Sequence, residues 1–329
     1  MFESKKLESL KIIEIPYSDV NWHTVPGHPE IPVFSDVHPT PETRELYDYR
    51  LCGVYHTANV PFELSTIKYP YDKYPEGTDP TIYKTFSRLI SKEVEDGIKS
   101  GKCVAVVGGN CAHAVPISGG IQRALGEDAK VGLIWLDGHG DMNTPETTFS
   151  GILGGQPLAT CCGLCHSDWA QDCGLIKPYD TENIILSDDR DPSPDTSREV
   201  INIKKTNMVR LSTVEFCNSE TWKKSVDDLA ARVDAIYFHI DGDILDASFV
   251  PSHASRISHG PSLKKLLENI KTVMDTGKVL VFAAVSFYFD YGPLDEDVVR
   301  LDQDITTLNG MRTVGTCFAN WEKTVCVND

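Results

Sequence analysis

Residues 130–141, KVGLIWLDGHGD, place an apolar run directly before three polar side chains at every second position. The run KVGLIWL has the length and the continuous apolar character of a strand that is covered on both faces of a parallel sheet. Asp137, His139 and Asp141 follow at the point where such a strand would end. A strand that leads into potential metal ligands indicates a site at the edge of the sheet.

Similar apolar runs recur along the chain, in LKIIEI, KCVAVV, NIILS, NMVRLS, DAIYFHI and KVLVFAAV. Segments with helical patterning lie between them, namely DPTIYKTFSRLISKEVEDGIKSG, AVPISGGIQRALG, TSREVINIKK, ETWKKSVDDLAARV and SLKKLLENIKTVMDTG. Strands that alternate with helices in this way are typical of a parallel sheet covered by helices on both faces. The pattern predicts a three-layer α/β/α fold with a mostly parallel central sheet.

The chain has 329 residues, of which 41% are hydrophobic, so it can bury a sizeable core. It contains no repeat, no low-complexity segment and no convincing linker. We therefore expect a single domain over residues 1–329. The first hundred residues or so, with a proline-rich stretch at residues 25–74, are expected to be irregular and are a candidate to cover the site.

The net charge of −17 argues against nucleic acid and anionic membranes as partners, because both would be repelled. No segment approaches the roughly 20 consecutive apolar residues of a membrane span, and the first residues lack an apolar signal core. We expect a cytoplasmic protein that binds a small molecule.

The ten cysteines are too sparse for a disulfide scaffold in a chain of this length. The tightest group pairs Cys162 with Cys165 and is followed by His166, which resembles half of a zinc site. No second CxxC pair completes it. Most of the cysteines are expected to be reduced and buried.

Three polar clusters follow apolar runs, at residues 108–113 (GGNCAH), 137–141 (DGHGD) and 241–246 (DGDILD). Ligands bind beyond the carboxyl ends of parallel strands, so these clusters are expected to converge. Their convergence would collect Cys111, Asp137, His139, Asp141, Asp241 and Asp243. Four carboxylates in one pocket require cations, which predicts two divalent ions.

Each acidic pair alone could instead cap a helix or bind solvent. Four histidines are expected to be packing or surface residues, namely His113, His239, His253 and His259.

Two of these segments, WLDGHGDMNTPETTFSG and HIDGDILDASFVP, resemble the motifs of the ureohydrolase family, the arginases and agmatinases with a two-manganese centre. The resemblance covers residues 103–261 and, more loosely, the remainder of the chain. It implies an arginase-like fold, two Mn²⁺ ions and hydrolysis of a C–N bond in a guanidino substrate, with urea or a substituted urea as product. Related enzymes often form trimers or hexamers, so we expect a homo-oligomer.

Carried over position by position, the resemblance makes Asp137 and Asp241 the bridging carboxylates. His139 and Asp243 would complete one metal site, and Asp141 the other. Asp141 would also accept and relay the proton of the attacking water.

Cys111 occupies a ligand position in the first cluster, where the family has a histidine in G-G-D-H-S. One branch of the family carries cysteine there, the N-hydroxyarginine hydrolases of D-cycloserine biosynthesis, and this chain resembles that branch most. A coordinated thiolate adds a negative charge that a neutral imidazole does not. The alternative is that Cys111 is a small packing residue beside a degraded site.

The resemblance also implies a binding site for an amino-acid-like substrate. Asn143 and Ser150 match residues that hold the carboxylate of the amino acid in arginases. Asp191 matches the acid near its α-amino group.

Other positions depart from arginases. Ile152 and Gly154 stand where arginases have an asparagine and the proton-shuttling histidine, and Ser286 or a neighbour stands where the family has the glutamate that binds the guanidinium. These losses favour a modified substrate such as an N-hydroxyguanidine over arginine. They also support an alternative function, a non-catalytic binding or regulatory protein with a degraded site.

Overall fold

The computed structural model describes residues 4–16, 22–25, 28–34, 43–68, 80–253, 255–287 and 296–325. Its strands are β1 (Ser4–Lys6), β2 (Leu10–Glu14), β3 (Trp22–Val25), β4 (His28–Phe34), β5 (Phe62–Thr66), β6 (Cys103–Val107), β7 (Val131–Asp137), β8 (Ile184–Asp188), β9 (Val209–Leu211), β10 (Ala235–Asp241), β11 (Val279–Val285) and β12 (Lys323–Val325). Its α-helices are α1 (Arg44–Leu51), α2 (Pro80–Lys99), α3 (Ala114–Leu125), α4 (Pro157–Cys161), α5 (Ser167–Asp172), α6 (Pro194–Ile203), α7 (Thr213–Cys217), α8 (Ser219–Arg232), α9 (Leu263–Met274) and α10 (Glu296–Ala319).

Eight strands form the central sheet in the order β5-β2-β6-β11-β10-β7-β8-β9. Every neighbouring pair in it is parallel. Helices flank this sheet, so the predicted α/β fold with a mostly parallel sheet is confirmed. Two short antiparallel pairs, β1 with β12 and β3 with β4, lie outside it.

The middle strands are buried along their whole length because side chains on both of their faces pack under helices. Every residue of β6, β10 and β11 is buried, as are all but the first residue of β7. These four strands are the apolar runs that the sequence pattern predicts, and a strand with no polar face is stable only in such a doubly covered sheet.

The covering helices show the expected amphipathic pattern. In α9, the buried residues recur at helical spacing, from Leu263 and Leu266 to Ile270 and Val273. The side chain of Ser262 caps this helix by accepting a hydrogen bond from the Lys265 amide. Helix α9 therefore packs with one apolar stripe against the sheet.

The N-terminal region contains more regular structure than its sequence pattern indicates. Helix α1, a 3₁₀ turn at Val54–Ala58 and the edge strand β5 lie within the proline-rich stretch. Strand β5 was missed because it is short and partly exposed, which gives no continuous apolar run. A cover over the site stays a prediction, because parts of this region lie outside the described part of the chain, namely residues 17–21, 26–27, 35–42 and 69–79.

None of the described helices is long and apolar enough to cross a membrane.

Candidate metal centre

Two acidic residues end neighbouring strands at the same level of the sheet. Asp137 is the last residue of β7 and Asp241 is the last residue of β10. The strands are paired in register, with Ile240 opposite Leu136. Because the strands are parallel, both carboxylates leave the sheet at its carboxyl edge, side by side and almost fully buried.

Cys111 meets this pair from the loop after β6. Its thiol donates a hydrogen bond to Oδ2 of Asp241 at 2.9 Å, and its Sγ lies 3.5 Å from Oδ2 of Asp137. The three donor atoms can hold one metal ion. The structure therefore brings Cys111 beside Asp137 and Asp241, and its role as a metal ligand stays a prediction.

A second group forms around His139. Its Nδ1 atom lies 3.3 Å from Oδ1 of Asp137 and 2.9 Å from Oδ2 of Asp243. Gly138 permits this approach, because a Cβ added there would lie 3.1 Å from Oδ1 of Asp243 and 2.9 Å from its carbonyl oxygen. The Gly138 amide donates instead to Oδ1 of Asp243, at 2.8 Å.

A third group contains His253, for which the sequence pattern predicts only a packing or surface role. Its Nε2 atom lies 3.1 Å from Oδ1 of Asp241. With Asp243 these side chains form another set of donors that can hold an ion. No local pattern marks His253 as a ligand, because its approach to Asp241 depends on the folded turn after β10.

Asp141 is buried beside these groups but is not a member of any of the three sets. Its backbone is left-handed, with φ 48°, a conformation that aspartate tolerates better than most residues. Its Oδ2 atom is buried and has no hydrogen-bond partner among the described residues. A buried carboxylate oxygen without a partner is costly, and a cation would satisfy it.

The pKa shifts of the buried residues indicate that the cluster favours bound cations. Burial and the carboxylates of Asp243, Asp141 and Asp241 raise the pKa of Asp137 well above its usual range. Burial lowers the pKa of His139, but Asp243 and Asp137 outweigh it and raise that pKa well above its ordinary value. Divalent ions would replace these shared protons, and carboxylates with imidazole are ligands that Mn²⁺ accepts. The residues present therefore fit a two-ion centre.

The comparison with known proteins agrees with this geometry. A profile described as the arginase family matches residues 39–302, which is more than half of the chain. The chain belongs to the arginase family. An arginase from Neurospora crassa is 24% identical over 249 residues, which cover 73% of this chain and 67% of the relative.

Solved arginases share the fold. The arginase of Bacillus subtilis superposes with a TM-score of 0.73 at 20% identity, over 95% of this chain and 98% of that one. The arginase of Entamoeba histolytica, solved in complex with L-ornithine, gives a TM-score of 0.73 at 18% identity, over 96% and 99% of the two chains.

Only one of the three predicted substrate-binding residues contacts the candidate metal ligands of this arginase-family protein. Oδ2 of Asp191 lies 3.4 Å from Nε2 of His139. Asn143 is buried, and its amide nitrogen donates to Oε1 of Glu199 at 3.1 Å. Ser150 accepts a hydrogen bond from the Ile152 amide in its own loop. The substrate roles of these three residues stay predictions.

Glu199, on α6, is a buried acid that the sequence pattern did not reveal. Its Oε2 atom accepts a hydrogen bond from the Gly140 amide at 2.8 Å. Burial and Asp141 raise the pKa of Glu199 well above its usual range. Glu199 thus anchors the turn that presents His139 and Asp141, and no sequence signal marks it because it lies far along the chain.

Proposed function

We propose that this arginase-family protein is a hydrolase that uses two divalent ions, Mn²⁺ in the first place, to cleave a C–N bond of an arginine-derived guanidino substrate. The product would be urea or a substituted urea. One observation supports this proposal above all. Asp137 and Asp241 each direct Oδ2 toward Cys111 and Oδ1 toward a histidine, His139 or His253. Each of the two carboxylates thus belongs to two of the three donor sets, as a carboxylate shared by a pair of ions would.

The ions would supply the acidity that makes water a nucleophile near neutral pH. The protein would supply the proton acceptor. Asp141 is suited to this task because its Oδ2 atom is buried without a hydrogen-bond partner in the described residues. Its carbonyl oxygen accepts a hydrogen bond from the Ala159 amide, which fixes the loop. Positioned general bases of this kind contribute about 10²–10⁴-fold in rate.

An amino-acid-like substrate is supported by Asp191 and by one relative. The Asp191 carboxylate lies beside His139, where it could receive an α-amino group of a substrate bound at the centre. Thr196 holds it by donating to Oδ2 at 3.1 Å. The solved Entamoeba relative is in complex with L-ornithine, which is an amino acid. We propose the same substrate class here, with Asn143 and Ser150 on its carboxylate side.

An N-hydroxyguanidine is the favoured form of the reacting group. Residue 286 is a serine, so it offers no carboxylate to a guanidinium. Ser286 is buried, and its amide donates to the Gly109 carbonyl. Gly154 offers no shuttle for protons. A thiolate from Cys111 would make water on the ions less acidic. A substrate with a less basic nitrogen tolerates this change and the changes at residues 154 and 286.

A turnover panel tests the proposal. Manganese-loaded protein would be incubated with arginine, N-hydroxyarginine, agmatine and a guanidino acid, and the release of urea or hydroxyurea would be measured. We expect N-hydroxyarginine to be cleaved faster than arginine, and Asp241→Asn to release nothing. Equal or faster turnover of arginine would refute the substrate proposal. Metal-loaded protein that releases no product from any guanidine would favour the non-catalytic alternative. Homo-oligomer formation stays a prediction, which light scattering would test.

A further inference from the structure

His253 lies among the acidic residues of the centre. It is 4% exposed. Its Nε2 atom lies 3.1 Å from Oδ1 of Asp241, and its Nδ1 atom lies 3.8 Å from Oδ2 of Asp243. Oδ2 of Asp243 also lies 2.9 Å from Nδ1 of His139, so the two imidazoles share this carboxylate.

The backbone around His253 is held by helix α10. The Ser252 amide donates to Oγ1 of Thr306 at 3.1 Å. The Asn309 side chain donates to the Phe249 carbonyl at 2.7 Å. These bonds tie the backbone that precedes His253 to α10 by contacts that involve no metal ligand. A ligand held in this way is preorganised.

The spacing of the donor atoms suits a common ion. Two ligands ~2.1 Å from an ion and at right angles to each other are about 3 Å apart. His253 Nε2 and Asp241 Oδ1 are 3.1 Å apart. His139 Nδ1 and Asp243 Oδ2, which the family resemblance assigns to one ion, are 2.9 Å apart. Both pairs have the separation expected of adjacent ligands.

The other ring nitrogen of His253 can stabilise the tautomer that a ligand needs. The Ser255 amide donates to Nδ1 at 3.0 Å, and the Ser255 carbonyl oxygen lies 3.1 Å from the same nitrogen. Without an ion, Nε2 therefore carries the ring hydrogen toward Asp241; an ion on Nε2 would move that hydrogen to Nδ1, which would then donate to the Ser255 carbonyl. A histidine that binds metal usually donates its second ring N–H to such a carbonyl.

We propose that His253 is a further ligand of the ion held by His139, Asp241 and Asp243. This inference rests on the proposed two-ion centre. It gives one ion two imidazoles and leaves the other ion with the Cys111 thiolate. The two positions then differ in chemistry, because thiolate favours softer metals such as zinc, whereas imidazole and carboxylate also suit manganese. The protein would thus bind its two ions with unequal metal preference.

Two substitutions separate a ligand from a residue that only orients Asp241. His253→Ala removes both roles. His253→Gln keeps an N–H group able to donate to Asp241 but lacks the imidazole nitrogen. His259→Asn is the matched control, since His259 is an exposed histidine of the same segment and asparagine tolerates its positive φ of 67°. The ions bound per chain would be counted by elemental analysis after dialysis against manganese.

We expect both His253 variants to lose one ion and the control to keep two. The affinity loss in His253→Gln should exceed the roughly 10–100-fold effect of removing an outer hydrogen-bond partner. A His253→Gln variant that keeps both ions at wild-type affinity would overturn the inference while leaving the proposed function intact. Wild-type protein that binds no ion would overturn both.

A spectrum of the wild-type protein gives a check that does not depend on the folding of a variant. Protein with nitrogen-15-labelled histidine would be loaded with zinc to two ions per chain and studied by long-range proton–nitrogen correlation. We expect Nε2 of His253 to show the shift of a metal-bound nitrogen and Nδ1 to carry the hydrogen. A hydrogen that remains on Nε2 after loading would overturn the inference.

Discussion

The Nε2 atom of His239 lies 3.4 Å from the sulfur of Cys111. Burial lowers the pKa of His239 to about 3, so the ring is neutral at physiological pH. The Tyr237 hydroxyl lies 3.0 Å from Nδ1 of His239, and when it donates there, Nε2 carries the hydrogen that faces the sulfur. His239 is therefore placed to orient the Cys111 sulfur toward Asp241.

Replacing His239 should weaken metal binding without touching a predicted ligand. His239→Phe keeps an aromatic ring against Trp135, on which the imidazole stacks at 3.8 Å between centroids, but it removes the N–H group. We expect the ion on the Cys111 side to bind about 10–100-fold more weakly, as when outer hydrogen-bond partners of metal ligands are removed. Titration with manganese measures this. Unchanged affinity at both positions would show that His239 is only a packing residue.

Cys111 should give a spectroscopic signature as a ligand. Burial and the surrounding carboxylates, Asp241 first, raise the pKa of its thiol well above the usual range in the metal-free protein. A coordinated thiol loses its proton regardless, because the ion stabilises the thiolate. Cobalt-loaded protein should therefore show a thiolate-to-metal charge-transfer band that is absent from Cys111→Ser. Cys111→His, which restores the usual family ligand, should still bind two ions. A cobalt spectrum that is the same with and without the sulfur would contradict this.

The stability of the metal-free protein should fall as pH rises. Burial raises the pKa of Asp141 to about 8, with His139 opposing the shift and Asp241 adding to it. The folded state then binds more protons than the unfolded state between the usual aspartate pKa of about 4 and pH 8, so raising the pH destabilises it. Asp141→Asn should remove this contribution, and asparagine accepts the φ of 48° at this position. Thermal unfolding of chelator-treated protein at pH 7 and pH 8 would measure both, because the lowered pKa of His239 changes stability in the opposite sense only below pH 6.5. A wild type that is equally stable at the two values would contradict the expectation.

Most of the fold could be predicted because the central strands are continuous apolar runs in the sequence. The runs KVGLIWL and DAIYFHI are apolar throughout since both faces of β7 and β10 are covered. The edge strand β5 and the pairing of β1 with β12 could not be predicted, because short or partly exposed strands do not form a continuous apolar run.

Some residues of the candidate site could be predicted from the sequence and others could not. Asp137 and Asp241 could be placed together because carboxyl ends of parallel strands meet at one edge. His239, His253 and Glu199 could not be placed, since a local sequence pattern does not show which side chains the folded turns and helices bring against them. The His239 and Cys111 side chains, for example, are 128 positions apart.

Arginine turnover should rise when the missing proton shuttle is restored. A Cβ at Gly154 would have only Ile152 nearby, at 3.5 Å, which is an ordinary van der Waals contact, so the backbone accepts the Cβ of Gly154→His. An imidazole at this position could pass protons to the leaving group, and general acid catalysis contributes about 10²–10⁴-fold where it operates. We expect arginine hydrolysis to increase at least severalfold. Gly155→His is the matched control, because a Cβ there meets nothing within 4 Å. Equal effects of the two variants, or none from either, would argue against a shuttle at residue 154.

The central claim is a two-ion centre built on Asp137 and Asp241. The most direct test is the number of ions per chain in manganese-loaded protein, counted by elemental analysis beside Asp241→Ala. We predict close to two ions in the wild type and almost none in the variant, because Asp241 belongs to two of the three donor sets. A wild type that binds no divalent ion after loading, or a variant that still binds two, would contradict the account.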